Sequence, residues 1–143
     1  MSKRSVVILI VCTIILAIAS VVTIYNEPEI ESAHISSDIN LALDESKQNG
    51  GVSYFDDLDS NIYLILAVKN LSAEDEIKIN WKILEDNSEK IIQKNIIQPE
   101  ESGSGKMIVS LVRKNKKLIP CSYAVEVFLN DDKKITRKFT VAK

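Results

Sequence analysis

This chain of 143 residues is poor in the residues that define several protein classes. It has 2 cysteines, 4 glycines and 3 prolines, which excludes a disulfide scaffold and a collagen-like or low-complexity sequence. His34 is the single histidine. The chain therefore offers no set of base, nucleophile and orienting group, and we predict a protein that is not an enzyme and has no cofactor.

The chain does contain one long uncharged apolar run, from residue 6 to residue 25. A helix of this length extends about 30 Å, which matches the hydrocarbon core of a bilayer. Lys3 and Arg4 precede the run and acidic residues follow it, so the positive-inside rule places the N-terminus in the cytoplasm. We predict a cytoplasmic tip over residues 1–5 and a transmembrane signal-anchor helix over residues 6–25 that contacts membrane lipid.

The alternative for the same run is a cleaved signal peptide. Ala17, Ile18 and Ala19 fit the small-x-small pattern of a cleavage site, and cleavage near Ala19 would release a secreted protein. Both interpretations place the rest of the chain outside the cytoplasm. We expect a single-pass protein in the cell membrane, with an extracytoplasmic C-terminal domain.

Beyond a short acidic linker over residues 26–32, the hydrophobic pattern is that of β-strands. Residues 33–43 fit either a strand or a short helix, and residues 62–68 form a continuous apolar run typical of a central strand. Clean alternation follows over residues 76–84, 123–129 and 135–141. No segment between them has a convincing helical period. The pattern predicts an all-β protein with one antiparallel β-sandwich domain over residues 33–143.

Two aromatic residues of this domain stand at positions that are familiar from one kind of sandwich. Trp81 lies on an early-middle strand, and Tyr123 begins the penultimate strand shortly after Pro120. In this the chain resembles immunoglobulin-like and fibronectin type III-like domains of membrane-anchored prokaryotic surface proteins. The resemblance implies that the Trp81 ring fills the core between the sheets and that the Tyr123 hydroxyl holds a crossing loop, both structural roles.

Asp57, Asp59 and Asn61 alternate as the oxygen ligands of a calcium loop do. The glycine and glutamate that complete an EF-hand are missing, since Ile62 and Val68 occupy their places. The three residues are therefore a candidate calcium site, with a solvated turn before a strand as the alternative. We predict no other metal site.

Basic residues gather in two late segments and are the binding candidates of the sequence. They are Arg113, Lys114, Lys116, Lys117, Lys133 and Lys134. Such clusters contact anionic polymers or lipid headgroups, or they form solvated loops that keep a sheet soluble. In addition, Asn70, Leu71 and Ser72 form a glycosylation sequon.

The net charge of −2 argues against nucleic acid as a partner, since basic residues do not predominate. We therefore expect an extracytoplasmic binding module that contacts an envelope protein or an anionic surface polymer. The alternative is a structural subunit of an envelope complex, assembled partly through the transmembrane helix.

Overall fold

The computed structural model describes residues 27–38, 40, 53–56, 61–112 and 118–142. Within these residues the chain forms eight β-strands. They are β1 (Glu29–Ser36), β2 (Ser53–Asp56), β3 (Ile62–Leu71), β4 (Ile77–Glu85), β5 (Ser88–Ile97), β6 (Gly103–Leu111), β7 (Ser122–Leu129) and β8 (Asp132–Ala142).

The strands are arranged in two sheets. The first has three strands in the order β1-β3-β6, and the second has five in the order β2-β8-β7-β4-β5. All neighbours are antiparallel except β2 and β8, which pair in parallel. The prediction of an all-β, sandwich-like protein is confirmed, and the apolar run that begins at Ile62 is the central strand of its sheet.

The core lies between the sheets and is built by the alternation seen in the sequence. Every second side chain of β4 and β7 points inward because successive residues of a strand face opposite sides. Trp81 and Tyr123 are fully buried there. The Phe139 ring stacks on Tyr123 at 5.0 Å between centroids and meets Trp81 edge-on at 6.4 Å. The Tyr123 hydroxyl donates to the Ile119 carbonyl oxygen at 2.8 Å, which holds the segment entering β7.

Polar side chains close the two open sides of the sandwich. On one side, Arg137 lies on the inner face of β8, and its Nε donates to the Ala33 carbonyl oxygen of β1 at 2.9 Å. On the other side, Gln93 of β5 donates to the Ser110 carbonyl oxygen at 2.9 Å and accepts from the Val112 amide at 2.8 Å. Each contact joins one sheet to the other.

The start of the domain differs from the sequence prediction. Strand β1 begins at Glu29, inside the range 26–32 that was predicted to be a linker. The physical reason is burial, because Ile30 pairs with Val68 and its side chain is 7% exposed. An acidic segment can thus form a strand when an apolar side chain within it is buried in the core.

The described residues contain no helix that is long and apolar enough to cross a membrane. The predicted transmembrane segment over residues 6–25 lies outside them, as do Asp57, Asp59 and the basic residues of 113–117.

Candidate interaction surface

The outer face of the five-stranded sheet carries lysines, an ion-paired carboxylate and exposed isoleucines. Residues of β4, β5, β7 and β8 that alternate with core positions project from it. Five of them are lysines: Lys78, Lys82, Lys94, Lys133 and Lys138. We call this surface the lysine face.

The carboxylate of Glu126 lies at the centre of the lysine face. Glu126 is only 8% exposed, and its two oxygens accept from Lys82 at 2.9 Å and from Lys133 at 2.6 Å. Lys82 also contacts Glu89 at 3.0 Å. Burial by itself would raise the pKa of Glu126, but the hydrogen bonds from Lys133 and Lys82 outweigh it and hold the pKa below its usual value. The hydrogen bonds to Glu126 and Glu89 in turn raise the pKa of Lys82.

An aromatic ring lies beside this carboxylate. The ammonium groups of Lys78 and Lys133 stand 5.5 Å and 5.7 Å from the centroid of the Phe128 ring, within the range of a cation–π interaction. Lys78 also forms an ion pair with Asp131 of the β7–β8 turn. We call the Phe128 ring and the two ammonium groups beside it the Phe128 patch.

Two isoleucines extend the patch to the margin of the sheet. Ile91 is 50% exposed and Ile96 is 56% exposed, and both lie on β5. In register, Ile91 stands beside Lys82 and Ile96 beside Lys78. The lysine face therefore combines an ion-paired centre around Glu126 with apolar side chains at Phe128 and along the β5 margin.

The predicted binding residues separate in the structure. Lys133 belongs to the lysine face. Lys134 contacts Asp132 at 2.6 Å instead and borders a cavity of about 500 Å³ at the end of the sandwich where β1 begins. Residues 113–117 lie outside the described residues. Lys133 pairs with Phe128 near the end of β7.

Of the candidate calcium ligands, the structure describes Asn61 alone. In the described part of the chain, no group of three His, Cys, Asp or Glu side chains is placed to hold a metal ion. His34 lies on β1 opposite Ile65. Burial, followed by the charges of Arg137 and Lys106, lowers the pKa of His34, so the ring is neutral at pH 7.

A polar network that the sequence pattern did not reveal organises the β3–β4 and β7–β8 turns. Asp75 is 8% exposed and accepts from the Ser72 amide at 2.7 Å, the Ser72 hydroxyl at 3.0 Å and the Asn130 side-chain amide at 2.8 Å. Burial would raise the pKa of Asp75, but the hydrogen bonds from Asn130 and Ser72 hold it below its usual value. The available signal was the turn sequence at Asn130 and Asp131, whose φ angles of 51° and 67° are left-handed.

These depressed pKa values predict a loss of stability in acid. A carboxylate whose folded pKa lies below its unfolded pKa stabilises the protein above the unfolded value, and this contribution disappears as the pH falls through the folded value. We expect the free energy of unfolding to fall with pH below about 4.5, the region where glutamate and aspartate titrate in unfolded chains. Urea unfolding of the full chain in detergent, followed by the fluorescence of Trp81, measures this dependence.

The variant Glu126→Gln isolates one carboxylate of the pH effect. It should be less stable than the wild type at pH 7 and should lose less stability on acidification. The variant Glu74→Gln, an exposed residue of the β3–β4 turn, is the matched control and should keep the wild-type pH profile. A Glu126→Gln profile parallel to that of the wild type would contradict the assignment.

Comparison with known proteins gives matches among solved structures alone. No protein family matches the chain, and no curated protein is similar to it. Among solved structures, it is similar to the alkylpurine DNA glycosylase AlkC of Pseudomonas fluorescens, bound to DNA that contains an abasic site analog. The sequence identity is 9% and the TM-score is 0.42, and the match covers 82% of this chain and 31% of that chain. This chain thus corresponds to less than a third of the enzyme's length.

The prediction about partners is corrected: net charge is not a sufficient ground for excluding nucleic acid. The similar structure is that of a protein bound to DNA. Net charge averages over the whole molecule, whereas lysines here concentrate on one face of one sheet. At this identity and TM-score the likeness says nothing about what the present chain binds.

Proposed function

We propose that this protein is a membrane-anchored, extracytoplasmic interaction module that binds another envelope protein through its lysine face. The observation that supports the proposal is the apolar surface of this face, where Ile91 and Ile96 are at least half exposed and two ammonium groups lie beside the Phe128 ring. Aromatic and aliphatic side chains beside charged ones are typical of binding surfaces.

The proposal includes an immunoglobulin-like architecture. Trp81 on β4 and Tyr123 at the start of β7 lie on neighbouring strands, and β8 follows in the same sheet. The Tyr123 hydroxyl bonds back to a carbonyl oxygen four residues upstream, as in the tyrosine corner of such sandwiches. These features support the assignment, while the pair of core cysteines found in antibody domains is not part of this sequence.

The proposed anchor determines how the lysine face is presented. Only three residues separate the end of the apolar run at Tyr25 from the start of β1 at Glu29, so the domain would begin within about 10 Å of the bilayer. Strand β1 then leads away from the anchor. The lysine face is a side of the sandwich, not an end, so it would be presented laterally to neighbours in the same membrane.

Two measurements on the full chain test this function. With an epitope tag at the C-terminus, protease added to intact cells should remove the tag. A tag that survives would place the domain on the cytoplasmic side and refute the proposed orientation. Cross-linking in native membranes should then give a defined set of products with neighbouring envelope proteins.

The second measurement needs a variant of the face and a matched control. Lys94→Glu combined with Lys138→Glu changes two exposed lysines of the lysine face, and these products should disappear. Lys69→Glu changes an exposed lysine of the other sheet and should leave them unchanged. Identical products in both variants would show that binding uses another surface.

A further inference from the structure

Strand β5 is the feature of the lysine face with the most specific geometry. Its ten residues form the last strand of the five-stranded sheet, and within the described residues β4 is its one hydrogen-bonded neighbour. In an antiparallel pair, alternate residues direct their N–H and C=O groups to the partner strand, and the remaining groups point the other way. One side of β5 thus presents a row of backbone donors and acceptors.

The side chains along this edge form a short alternating pattern. Ile91, Lys94 and Ile96 project from β5 onto the lysine face, where all three are exposed. Both isoleucines are at least half exposed, whereas isoleucine side chains are usually buried. A strand laid beside β5 would cover both of them and would meet Lys94 between them.

Side-chain hydrogen bonds fix the inner face of β5, which points away from the lysine face. The Gln93 side-chain amide donates to Asn95 and to the Ser110 carbonyl oxygen, both at 2.9 Å. Asn95 in turn accepts from the Trp81 indole at 3.2 Å. These bonds tie the inner face of β5 to the core and to β6. The edge is therefore ordered in advance, which lowers the entropic cost of adding a strand.

We infer that the β5 edge takes up an extended segment of a partner protein as an additional antiparallel strand. On the side of this segment that joins the lysine face, an acidic residue stands between two β-branched apolar residues, each two positions away from it. This inference rests on the proposed function, because it names the contact that the lysine face makes. Backbone hydrogen bonds supply affinity, and side chains set specificity. The partner's apolar residues cover Ile91 and Ile96, and an acidic residue lies opposite Lys94.

Charge selects an acidic partner over a second copy of this chain. β5 carries Lys90 and Lys94 against the single acid Glu89, and Glu89 is already paired with Lys82 of the adjacent strand. A second β5 would bring two more lysines to an edge that is already basic. Edge lysines are a common protection against self-pairing, and like charges placed opposite each other destabilise a strand pair.

A synthetic peptide of about ten residues, the length of β5, tests the inference on the full chain in detergent. Every second residue of this peptide joins the lysine face, and these residues are a central glutamate with β-branched apolar residues on either side of it. Threonine fills the positions between them, and the fluorescence anisotropy of the peptide reports binding. We expect it to bind at least about tenfold more tightly than a matched peptide with lysine in place of glutamate. Hydrogen exchange should show new protection at β5 amides and none in the three-stranded sheet.

Backbone methylation separates strand addition from simple charge attraction. Two versions of the acidic peptide carry N-methyl groups at odd or at even positions, which leaves charge and composition equal. Strand addition uses the N–H groups of one set, so one version should lose binding and the other should keep it. Equal binding of both versions would overturn the inference.

The substitution Lys94→Glu supplies a side-chain test, with Lys69→Glu as the control. The first should weaken binding of the acidic peptide and strengthen that of the basic one, and the second should change neither. If Lys94→Glu has no effect, the inference fails. Since the cross-linking experiment does not involve the peptide, the proposed function can succeed where this inference fails.

Discussion

Replacing Trp81 with alanine is expected to lower the free energy of unfolding by about 3–5 kcal/mol. The indole is fully buried, meets the Phe139 ring and donates a hydrogen bond to Asn95. Alanine would leave a cavity between the sheets and an Asn95 acceptor without this donor. Small domains are stable by about 5–15 kcal/mol, so the loss is a large part of the total.

The measurement is urea unfolding of the full chain in detergent, followed by far-UV circular dichroism because the variant lacks the single tryptophan. Trp81→Phe keeps a ring in the core and should cost less than the alanine variant. Val112→Ala changes a side chain that is 64% exposed and should stay within about 0.5 kcal/mol of the wild type. A similarly small change for Trp81→Ala would contradict the described core.

Replacing Asp75 with alanine is expected to cost about 2–3 kcal/mol. Its carboxylate accepts three hydrogen bonds, from the Ser72 amide, the Ser72 hydroxyl and the Asn130 side chain. Asn130 also accepts from the Glu76 amide at 2.9 Å. The variant would therefore disturb the β3–β4 and β7–β8 turns together, leaving part-buried donors without their acceptor.

Two variants separate the charge of Asp75 from its position. Asp75→Asn keeps the shape and one acceptor oxygen, so its loss of stability should be intermediate. Glu74→Ala alters the exposed neighbouring residue in the same turn and should have almost no effect. Urea unfolding followed by Trp81 fluorescence compares all three variants. If Asp75→Ala equals Glu74→Ala, the network does not contribute to stability.

Local pattern was sufficient for the strands themselves. Alternation over residues 76–84 and 123–129 predicted β4 and β7 and identified the inward positions of Trp81 and Tyr123. This works because a strand places successive side chains on opposite faces, so that polarity along the chain reports burial. The residue types at Asp86 and Asn87 also predicted the turn between β4 and β5.

Arg137 shows where local pattern stops being informative. Its parity places it among core residues, and only the position of β1 explains a charged side chain there. The Ala33 carbonyl that Arg137 reaches lies 104 residues earlier in the chain. A residue's face follows from its own strand, but its neighbours follow from pairing between distant strands.

By itself the sequence determined the all-β class, most of the strands and the identity of the large core residues, because these depend on interactions repeated every second residue. Tertiary structure alone decided that Lys133 joins Glu126 and Phe128 while Lys134 does not, and that β5 is the last of the described strands in its sheet. Lys78 and Asp131 are 53 residues apart and meet only because β4 pairs with β7. Which strands become neighbours depends on how the whole chain buries its apolar faces. Alternation of apolar and polar residues along one strand does not specify the strands with which it pairs.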